Sequence, residues 1–277
     1  MTEKKIPLYP YPLSLSINIS SMFSLALGGG AARGLAHIGV IRRLEELGMR
    51  PTAISGTSIG AIIGTLFALG KTSQEMEEMI AHVPWIKLLD PDLKKWVIKG
   101  VKIEKYLDTL FEGNSFSDLL IPLVVTATDI DTGEGIVIRE WLLSSAVRAS
   151  IWLPWVFIPK EYLGQNCVDG GLANNLPIEH LPEGKVIAVS ALRDLTRKIW
   201  YKKEIFGINW SRTIFWVTYS IIQKTIDIML SQNESRSILS REDVVYIRPS
   251  FDTLDYYNFD KYKEFIQAGY EAGSQSL

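Results

Sequence analysis

The residue best placed for covalent chemistry is Ser58, which lies between two glycines in Gly56-Thr-Ser-Ile-Gly60. A Gly-x-Ser-x-Gly turn between a buried strand and a helix exposes the serine hydroxyl at the bend, where it can act as a nucleophile. The surrounding stretch from Pro51 to Gly70 carries no charge and is long enough for a membrane span. Its proline, glycines and hydroxyl residues fit a lipid-spanning helix poorly. The sequence therefore predicts a strand, a nucleophile elbow and a buried helix.

A glycine-rich segment, residues 28–34, follows the first apolar run. Its open backbone presents several amides that suit the oxyanion of an acyl-transfer intermediate, and Arg33 adds charge or pins the loop. A phosphate or dinucleotide loop is the competing interpretation. However, the glycine spacing does not match GxGxxG, and no GK[ST] follows. No acidic residue ends a second strand about twenty positions further on, where Arg50 and Pro51 stand. We therefore predict an oxyanion hole at Gly28, Gly29, Gly30 and Arg33.

A serine nucleophile needs a base, and Asp169 is the leading candidate. It follows an apolar run and precedes Gly170 and Gly171. Two glycines after an aspartate form a turn that would hold the carboxylate at the end of a sheet. Taken alone, Asp-Gly-Gly is only a turn signal, so this interpretation depends on the elbow and the glycine loop.

The histidines offer an alternative base. His37 falls within the first predicted helix, where packing or capping is expected, and His82 falls in a charged helical region. His180 follows Asp169, so a Ser58-Asp169-His180 triad in α/β-hydrolase order competes with a Ser-Asp dyad. Since His180 is only eleven residues from Asp169, whereas α/β-hydrolases normally place the histidine in a later loop, the dyad is favoured.

Strands alternate with helices along much of the chain. Apolar runs predict strands at 22–27, 52–54, 119–129, 135–139 and 186–191, and helical spacing predicts helices at 33–47, 59–69 and 144–152. Residues 73–111 are predicted to be helical and charged. This alternation predicts an α/β fold with a mainly parallel central sheet.

The character of the chain changes beyond about residue 195. Residues 214–230 are apolar and aromatic with one polar face, which predicts a helix, and an aromatic-rich segment that predicts another helix ends the chain. We expect an N-terminal tail at 1–22, a catalytic domain at 23–191, and a mainly helical extension at 192–277 packed on the same core.

Composition argues against several function classes. A formal net charge of −2 gives no electrostatic reason to expect nucleic acid. A single cysteine, Cys167, excludes an internal disulfide and a CxxC metal or redox pair. Prolines interrupt the first 21 residues, so we expect no secretory signal. We expect no metal, no cofactor, and a cytoplasmic location with peripheral membrane contact as a further option.

In this order along the chain, the motifs resemble those of the patatin-like phospholipases, serine acyl hydrolases that use a Ser-Asp dyad. The resemblance covers about residues 23–191 and includes the glycine loop, the elbow and the segments 36–40, 126–129, 132–134, 148–150, 169–171 and 174–177. It implies a three-layer α/β sandwich, Ser58 as nucleophile, Asp169 as general base and the Gly28–Arg33 loop as oxyanion hole. Many members carry a further glycine where this chain has Ala31, which points to a subgroup.

The leading hypothesis is a hydrolase of fatty-acyl esters, of phospholipid or lysophospholipid, acting through an acyl-Ser58 intermediate. Aromatic residues that would line an acyl groove or face a membrane are interleaved with lysines that would attract anionic lipid: Trp85, Trp96, Trp152, Trp155, Phe157, Lys87, Lys94, Lys95, Lys99 and Lys102. A solvated helix face over an ordinary core is the simpler interpretation of these residues. The alternatives are an α/β-hydrolase-like esterase or thioesterase, and a catalytically silent lipid-binding or regulatory protein.

Overall fold

The computed structural model describes residues 22–84, 88, 91–92, 97–151, 158–195, 204–205, 208–209, 214–251, 254 and 257–277. Its strands are β1 (Phe23–Leu27), β2 (Ala53–Thr57), β3 (Pro91–Asp92), β4 (Val97–Ile98), β5 (Leu123–Asp129), β6 (Gly135–Ile138), β7 (Lys160–Tyr162), β8 (Gln165–Asp169), β9 (Lys185–Val189), β10 (Glu204–Ile205), β11 (Ile208–Asn209) and β12 (Val244–Ile247). Its α-helices are α1 (Ala36–Glu46), α2 (Ile59–Ala68), α3 (Ser73–Ala81), α4 (Val101–Leu110), α5 (Leu143–Ser150), α6 (Gly171–Asn174), α7 (Ile214–Leu239) and α8 (Tyr262–Ser276).

An eight-stranded sheet forms the centre, in the order β12-β9-β1-β2-β5-β8-β7 with β6 also paired to β5. The strands from β12 to β5 are mutually parallel. Both β6 and β8 run antiparallel to β5, and β7 runs antiparallel to β8. The predicted α/β class and mainly parallel sheet are confirmed. Because the carboxyl ends of β1, β2 and β9 meet at one edge, the loops that follow these strands come together there.

Two apolar clusters lie on opposite faces of this sheet. Along β1, Phe23, Leu25 and Leu27 belong to the larger cluster, whereas Ala26 belongs to the smaller, as expected from the alternation of side chains along a strand. The larger cluster includes residues of α1, α2 and α8. Ile238 of α7 packs against the smaller one. Helices therefore cover both faces, and the fold is the expected three-layer sandwich.

The C-terminal part of the chain contributes to the same sheet and the same core. β12 is an edge strand beside β9, and α8 crosses α1 at close range. A Cβ on Gly269 would collide with the backbone of Ala36, and one on Gly39 would collide with the backbone of Ile266. The two helices therefore touch backbone to backbone at these glycines.

Several elements differ from their predicted extent. The region 73–111, predicted to be helical, contains α3 and α4 with β3 and β4 between them. The helix predicted at 214–230 continues to Leu239. The uncharged stretch 51–70 forms β2 and α2, and none of the described helices is both long and apolar enough to cross a membrane. The five aromatic residues proposed for an acyl groove, and Lys87, Lys94 and Lys95, lie outside the described residues.

Candidate active site

Ser58 occupies a sharp turn between β2 and α2. Its φ of 54° and ψ of −122° fall in a region that residues other than glycine rarely adopt. The residue is 8% exposed, and its amide donates to Ser150 Oγ at 2.7 Å. A Cβ on Gly60 would lie 2.8 Å from the carbonyl oxygen of Gly28, so glycine is needed where α2 begins against the glycine loop. The turn therefore has the geometry of a nucleophile elbow.

The other motif glycines also mark close approaches within the site. A Cβ on Gly56 would lie 2.6 Å from the carbonyl oxygen of Gly60, which closes the elbow. On the carboxylate side, a Cβ on Gly170 would collide with the backbone of Thr126 in β5. These contacts let the two loops that carry Ser58 and Asp169 sit directly on the sheet.

The glycine loop lies beside the serine, and Asn175 holds it there. A Cβ on Gly29 would be 3.3 Å from the Cβ of Ser58. The Gly29 amide donates to the carbonyl oxygen of Asn175 at 3.3 Å, while Asn175 Nδ2 donates to the carbonyl oxygen of Gly29 at 3.2 Å. Both polar groups of Gly29 are therefore bound by one residue.

The amides of this loop are not equally available. Gly28 donates its amide to the carbonyl oxygen of Val189 at 3.0 Å. By contrast, the amides of Gly30 and Ala31 have no hydrogen-bond partner among the described residues. A short 3-10 helix begins at Ala31, and the first amides of a helix have no preceding turn whose carbonyl groups could accept their hydrogen bonds. Between Gly28 and Arg33, the described hydrogen bonds engage the amides of Gly28, Gly29 and Arg33, and leave those of Gly30, Ala31 and Ala32 unengaged.

Arg33 and His37 anchor the loop from behind. The buried Arg33 guanidinium pairs with Asp227 of α7 at 3.4 Å. His37 is fully buried, and its Nε2–H donates to the carbonyl oxygen of Gly28 at 2.8 Å. Burial lowers the pKa of His37 to about 4 despite this hydrogen bond, so the imidazole is neutral at pH 7. The structure places Arg33 in a loop-pinning contact and His37 in the packing role expected for it.

Asp169 ends β8 at the same edge of the sheet as Ser58. The register pairs Asp169 with Ala127 of β5, and the residue before Ala127 pairs with Thr57. β5 alone separates the two, so at about 4.8 Å per strand their backbones are roughly 10 Å apart. Asp169 Oδ1 accepts the Gly171 amide at 2.9 Å, which orients the carboxylate.

His180 lies at the opposite end of β2. It lines a surface cavity of about 690 Å³ together with Ala53, the first residue of that strand. Ser58 follows the last residue of the strand, so the strand length of roughly 13 Å separates the two ends. The alternative Ser58-Asp169-His180 triad therefore does not form in this structure.

Ser150, Asn175 and Glu234 also contact the site, although the sequence predicts no role for them. Glu234 of α7 is fully buried; it accepts Asn175 Nδ2 at 2.8 Å and Ser190 Oγ at 2.8 Å. Burial raises the pKa of Glu234, and its hydrogen bonds and Arg248 oppose this shift. Asn175 and Ser150 stood in motifs of the resemblance. Glu234 lies beyond residue 230, the predicted end of its helix, and no motif in the sequence indicates a role for it.

The arrangement suits acyl transfer. A serine at the start of a helix, unengaged amides beside it and a carboxylate across one strand are the parts that such chemistry uses. Within the described part of the chain, no group of three His, Cys, Asp or Glu side chains is placed to hold a metal ion.

Comparison with solved structures identifies a similar fold in VipD from Legionella pneumophila. The TM-score is 0.62 at 16% sequence identity, and the match covers 92% of this chain and 66% of that chain. At this identity the likeness concerns the fold alone.

Comparison of sequences identifies the family. The chain is 35% identical over 176 residues to an uncharacterized NTE family protein of Mycobacterium tuberculosis, covering 61% of this chain and 48% of that protein. It is 29% identical to mouse patatin-like phospholipase domain-containing protein 6, covering 90% of this chain and 20% of that protein. The chain thus spans about half of one relative and a fifth of the other. A family model described as patatin-like phospholipase matches residues 25–182, more than half of the chain. The chain therefore belongs to the patatin-like phospholipase family.

Proposed function

We propose that this chain is a lipid acyl hydrolase of the phospholipase A or lysophospholipase type, with Ser58 as nucleophile and Asp169 as general base. The observation that carries the proposal is the meeting of three features at one sheet edge. These are the strained elbow at Ser58, the carboxylate that ends β8, and the loop whose Gly30 and Ala31 amides are unengaged.

In the proposed first step, Asp169 takes the proton of the Ser58 hydroxyl as Oγ attacks the carbonyl carbon of the ester. The amides of Gly30 and Ala31 bind the resulting oxyanion, at roughly 3 kcal/mol per donor. Collapse breaks the ester C–O bond, and Asp169 returns the proton to the departing alcohol or lysolipid. Water then attacks the acyl carbon as Asp169 takes its proton. Collapse of this second intermediate breaks the acyl–Oγ bond, returns the proton from Asp169 to Ser58 Oγ and releases the fatty acid.

A carboxylate is a weak base toward a hydroxyl, so the oxyanion must be stabilised strongly. The nearly buried position of Ser58 favours this, because hydrogen bonds to a developing charge strengthen where water is excluded. α2 begins at Ile59, and the positive end of its dipole faces the reacting group. These features support a two-residue machinery without a histidine.

The proposed substrate class, a phospholipid or lysophospholipid acyl ester, rests on family membership. Contact with a membrane surface and a cytoplasmic location remain predictions. Of the lysines proposed to attract anionic lipid, Lys99 and Lys102 lie in the described part of the chain and are exposed.

The test uses the purified full chain with three variants: Ser58→Ala, Asp169→Asn and His180→Ala. We expect a fluorophosphonate probe to label the wild type at Ser58, and the wild type to hydrolyse a short-chain p-nitrophenyl ester. Mass spectrometry should then detect fatty acid released from phosphatidylcholine vesicles. Ser58→Ala should lose labelling and at least about 10³-fold in hydrolysis, and Asp169→Asn should lose roughly 10²-fold or more.

His180→Ala is the matched control and should keep wild-type activity. Collapse of activity in this variant would overturn the dyad. A well-folded wild type that is neither labelled nor active would favour the catalytically silent alternative.

A further inference from the structure

The helix α7 places several polar side chains against the candidate site. Ser231, Glu234 and Ser237 are buried, whereas Ile221 and Ile228 on the same helix are exposed. The side of a surface helix that faces the core is usually an apolar stripe, and among the described side chains of α7 polar groups occupy several of these positions. The buried polar groups therefore require an explanation in terms of what they bind.

What they bind is the backbone and side chains of the two loops that form the site. Asp227 pairs with Arg33 of the glycine loop. Asn233 Nδ2 donates to the carbonyl oxygens of Gly171 and Leu172, at 3.3 and 2.8 Å. Further along, Ser237 Oγ donates to Asn174 Oδ1 at 3.1 Å. The polar side chains of α7 thus contact both the glycine loop and the short helix α6 that follows Asp169.

Glu234 has the most direct link to the glycine loop. Its Oε1 accepts Asn175 Nδ2 at 2.8 Å, and the same nitrogen donates to the carbonyl oxygen of Gly29 at 3.2 Å. The carboxylate is also adjacent to the loop itself, since a Cβ on Gly28 would lie 3.2 Å from Oε1. Glu234 therefore fixes the amide group of Asn175 that in turn fixes the Gly29 peptide.

The second carboxylate oxygen ties the same helix to the sheet. Glu234 Oε2 accepts Ser190 Oγ at 2.8 Å and the Tyr246 hydroxyl at 3.3 Å. Ser190 follows β9 and Tyr246 lies in β12, so the carboxylate is held on both sides. Burying a carboxylate costs free energy that an apolar residue of the same size would not. The buried carboxylate provides a fixed hydrogen-bond acceptor for Asn175 Nδ2.

We propose that Glu234 is a positioning residue for catalysis. Through Asn175 it holds the Gly29 peptide so that the unengaged amides of Gly30 and Ala31 stay directed at the carbonyl group bound at Ser58. This inference rests on the proposed function and goes beyond it, because α7 lies outside the family segment 25–182. Without this acceptor, Asn175 Nδ2 keeps only the carbonyl oxygen of Gly29 as a partner, and the orientation of the Gly29 peptide is less restrained.

The test compares Glu234→Met, Glu234→Gln and Ser237→Ala in the full chain. Met matches the volume of Glu and tolerates burial, but it accepts no strong hydrogen bond from Asn175. Gln keeps an acceptor oxygen for Asn175 Nδ2. Ser237→Ala removes a buried hydrogen bond between the same helix and the neighbouring Asn174, and leaves the Gly29 contacts intact. Each variant is titrated with the fluorophosphonate probe, and kcat is expressed per labelled site.

For Glu234→Met we expect kcat on the p-nitrophenyl ester to fall by roughly 10- to 100-fold with KM within about two-fold, since misplaced oxyanion donors act on the transition state. Glu234→Gln and Ser237→Ala should stay within about three-fold of wild type. If Glu234→Met precipitates, Asn175→Ala should show the same loss of kcat.

Two results would overturn the inference. One is an unchanged kcat per labelled site in Glu234→Met, or in Asn175→Ala, because a merely structural role lowers the labelled fraction alone. The other is an equal loss in Ser237→Ala, which would make the effect a general one of α7. A wild type without labelling or hydrolysis overturns the proposed function and this inference with it.

Discussion

Ser58 holds a backbone conformation that costs on the order of 1–3 kcal/mol, and its neighbours compensate for it. Its buried amide is paired with Ser150 Oγ, a residue 92 positions away in the chain. Glycines at 56 and 60 remove the side chains that would collide at the turn. The hydroxyl is therefore held by contacts that involve its own backbone, and these contacts can be altered without changing Ser58 itself.

Replacing Ser150 by alanine tests this support. Ser150→Ala leaves the buried amide of Ser58 without its acceptor, which should lower the free energy of unfolding by about 1–3 kcal/mol and reduce kcat roughly ten-fold as the elbow relaxes. Urea unfolding and ester hydrolysis measure the two effects. Ser144→Ala, on the same helix α5, removes a hydrogen bond to Asp108 and should leave kcat unchanged. Equal kcat in both variants would show that the Ser150 contact does not support the proposed nucleophile, Ser58.

Gly60 and Gly64 form a second matched pair, both on α2. Gly60→Ala should cost about 1–3 kcal/mol or more and reduce ester hydrolysis over ten-fold, because its Cβ would press on the backbone of Leu27 and Gly28. In Gly64→Ala the new Cβ would lie 3.1 Å from Ile54 Cγ2, a side-chain atom, and the helix gains about 1 kcal/mol of propensity. Gly64→Ala should therefore remain within about 1 kcal/mol of wild type in urea unfolding. A more damaging Gly64→Ala would contradict this account.

Short motifs made part of the site predictable at the level of residues. Ser58 lies between two glycines, and Asp169 precedes two glycines. Both patterns are local signals of a turn that exposes one side chain. Glu234 has no such signal, because its contact to Asn175 spans 59 residues and a glutamate in a helix is ordinary. The sequence did not distinguish the individual amides of the glycine loop. The amides of Gly28 and Gly29 bind the carbonyl oxygens of Val189 and Asn175, which are distant in the chain.

At the scale of elements, the crossing of α1 and α8 joins the C-terminal helix to the first helix of the fold. Gly269 packs on the backbone of Ala36, and Gly39 packs on that of Ile266. α1 also carries His37, which holds Gly28. The position of α8 therefore bears on the glycine loop through a single intervening helix.

Gly269→Ala should push α8 away from α1 and lower the free energy of unfolding by about 1–3 kcal/mol or more. Gly273→Ala, one turn further along α8, places a Cβ 3.3 Å from Arg43 Cβ and 3.5 Å from Val40 Cα, and it should change stability by less than about 1 kcal/mol. Urea denaturation followed by circular dichroism measures both. Equal unfolding midpoints for the two variants would indicate that the crossing does not stabilise the fold.

Elements buried on both faces were the most predictable. β1 and β9 are mainly apolar, as expected for parallel strands covered by helices. β2 was predicted only at 52–54, because its second half is Ser-Gly-Thr and leads into the elbow. β12 was not predicted, since three of its four residues are only partly buried and its pattern is short. The region 73–111 was predicted to be helical throughout. Charged residues continue from the end of α3 to the start of α4, so the sequence does not mark the break between the two helices.

At the scale of the whole molecule, the candidate site gathers residues from most of the chain. The glycine loop lies near the start, Asp169 lies in the middle, and Glu234 lies in α7. The family segment ends at 182, yet α7, β12 and α8 complete the contacts behind the loop. Stability of the whole molecule and geometry of the site are therefore coupled through buried polar groups such as His37.

The buried His37 makes a prediction about stability against pH. Its pKa is about 4 in the folded chain, compared with about 6.5 when unfolded. Above pH 6.5 both states hold a neutral imidazole, and its contribution is constant. As the pH falls from 6.5 to 4, the unfolded chain binds a proton that the folded chain does not, so the free energy of unfolding should fall by about 3 kcal/mol.

His37→Gln isolates this effect, because glutamine can still donate to the carbonyl oxygen of Gly28 but does not titrate. Urea unfolding at pH 8, 6.5, 5 and 4 should show a smaller loss of stability in His37→Gln than in wild type, with the two curves diverging only below pH 6.5. His82→Gln, which replaces an exposed histidine at the end of α3, is the control for the substitution itself. The same dependence on pH in wild type and His37→Gln would mean that the imidazole behind the glycine loop is not held neutral by burial.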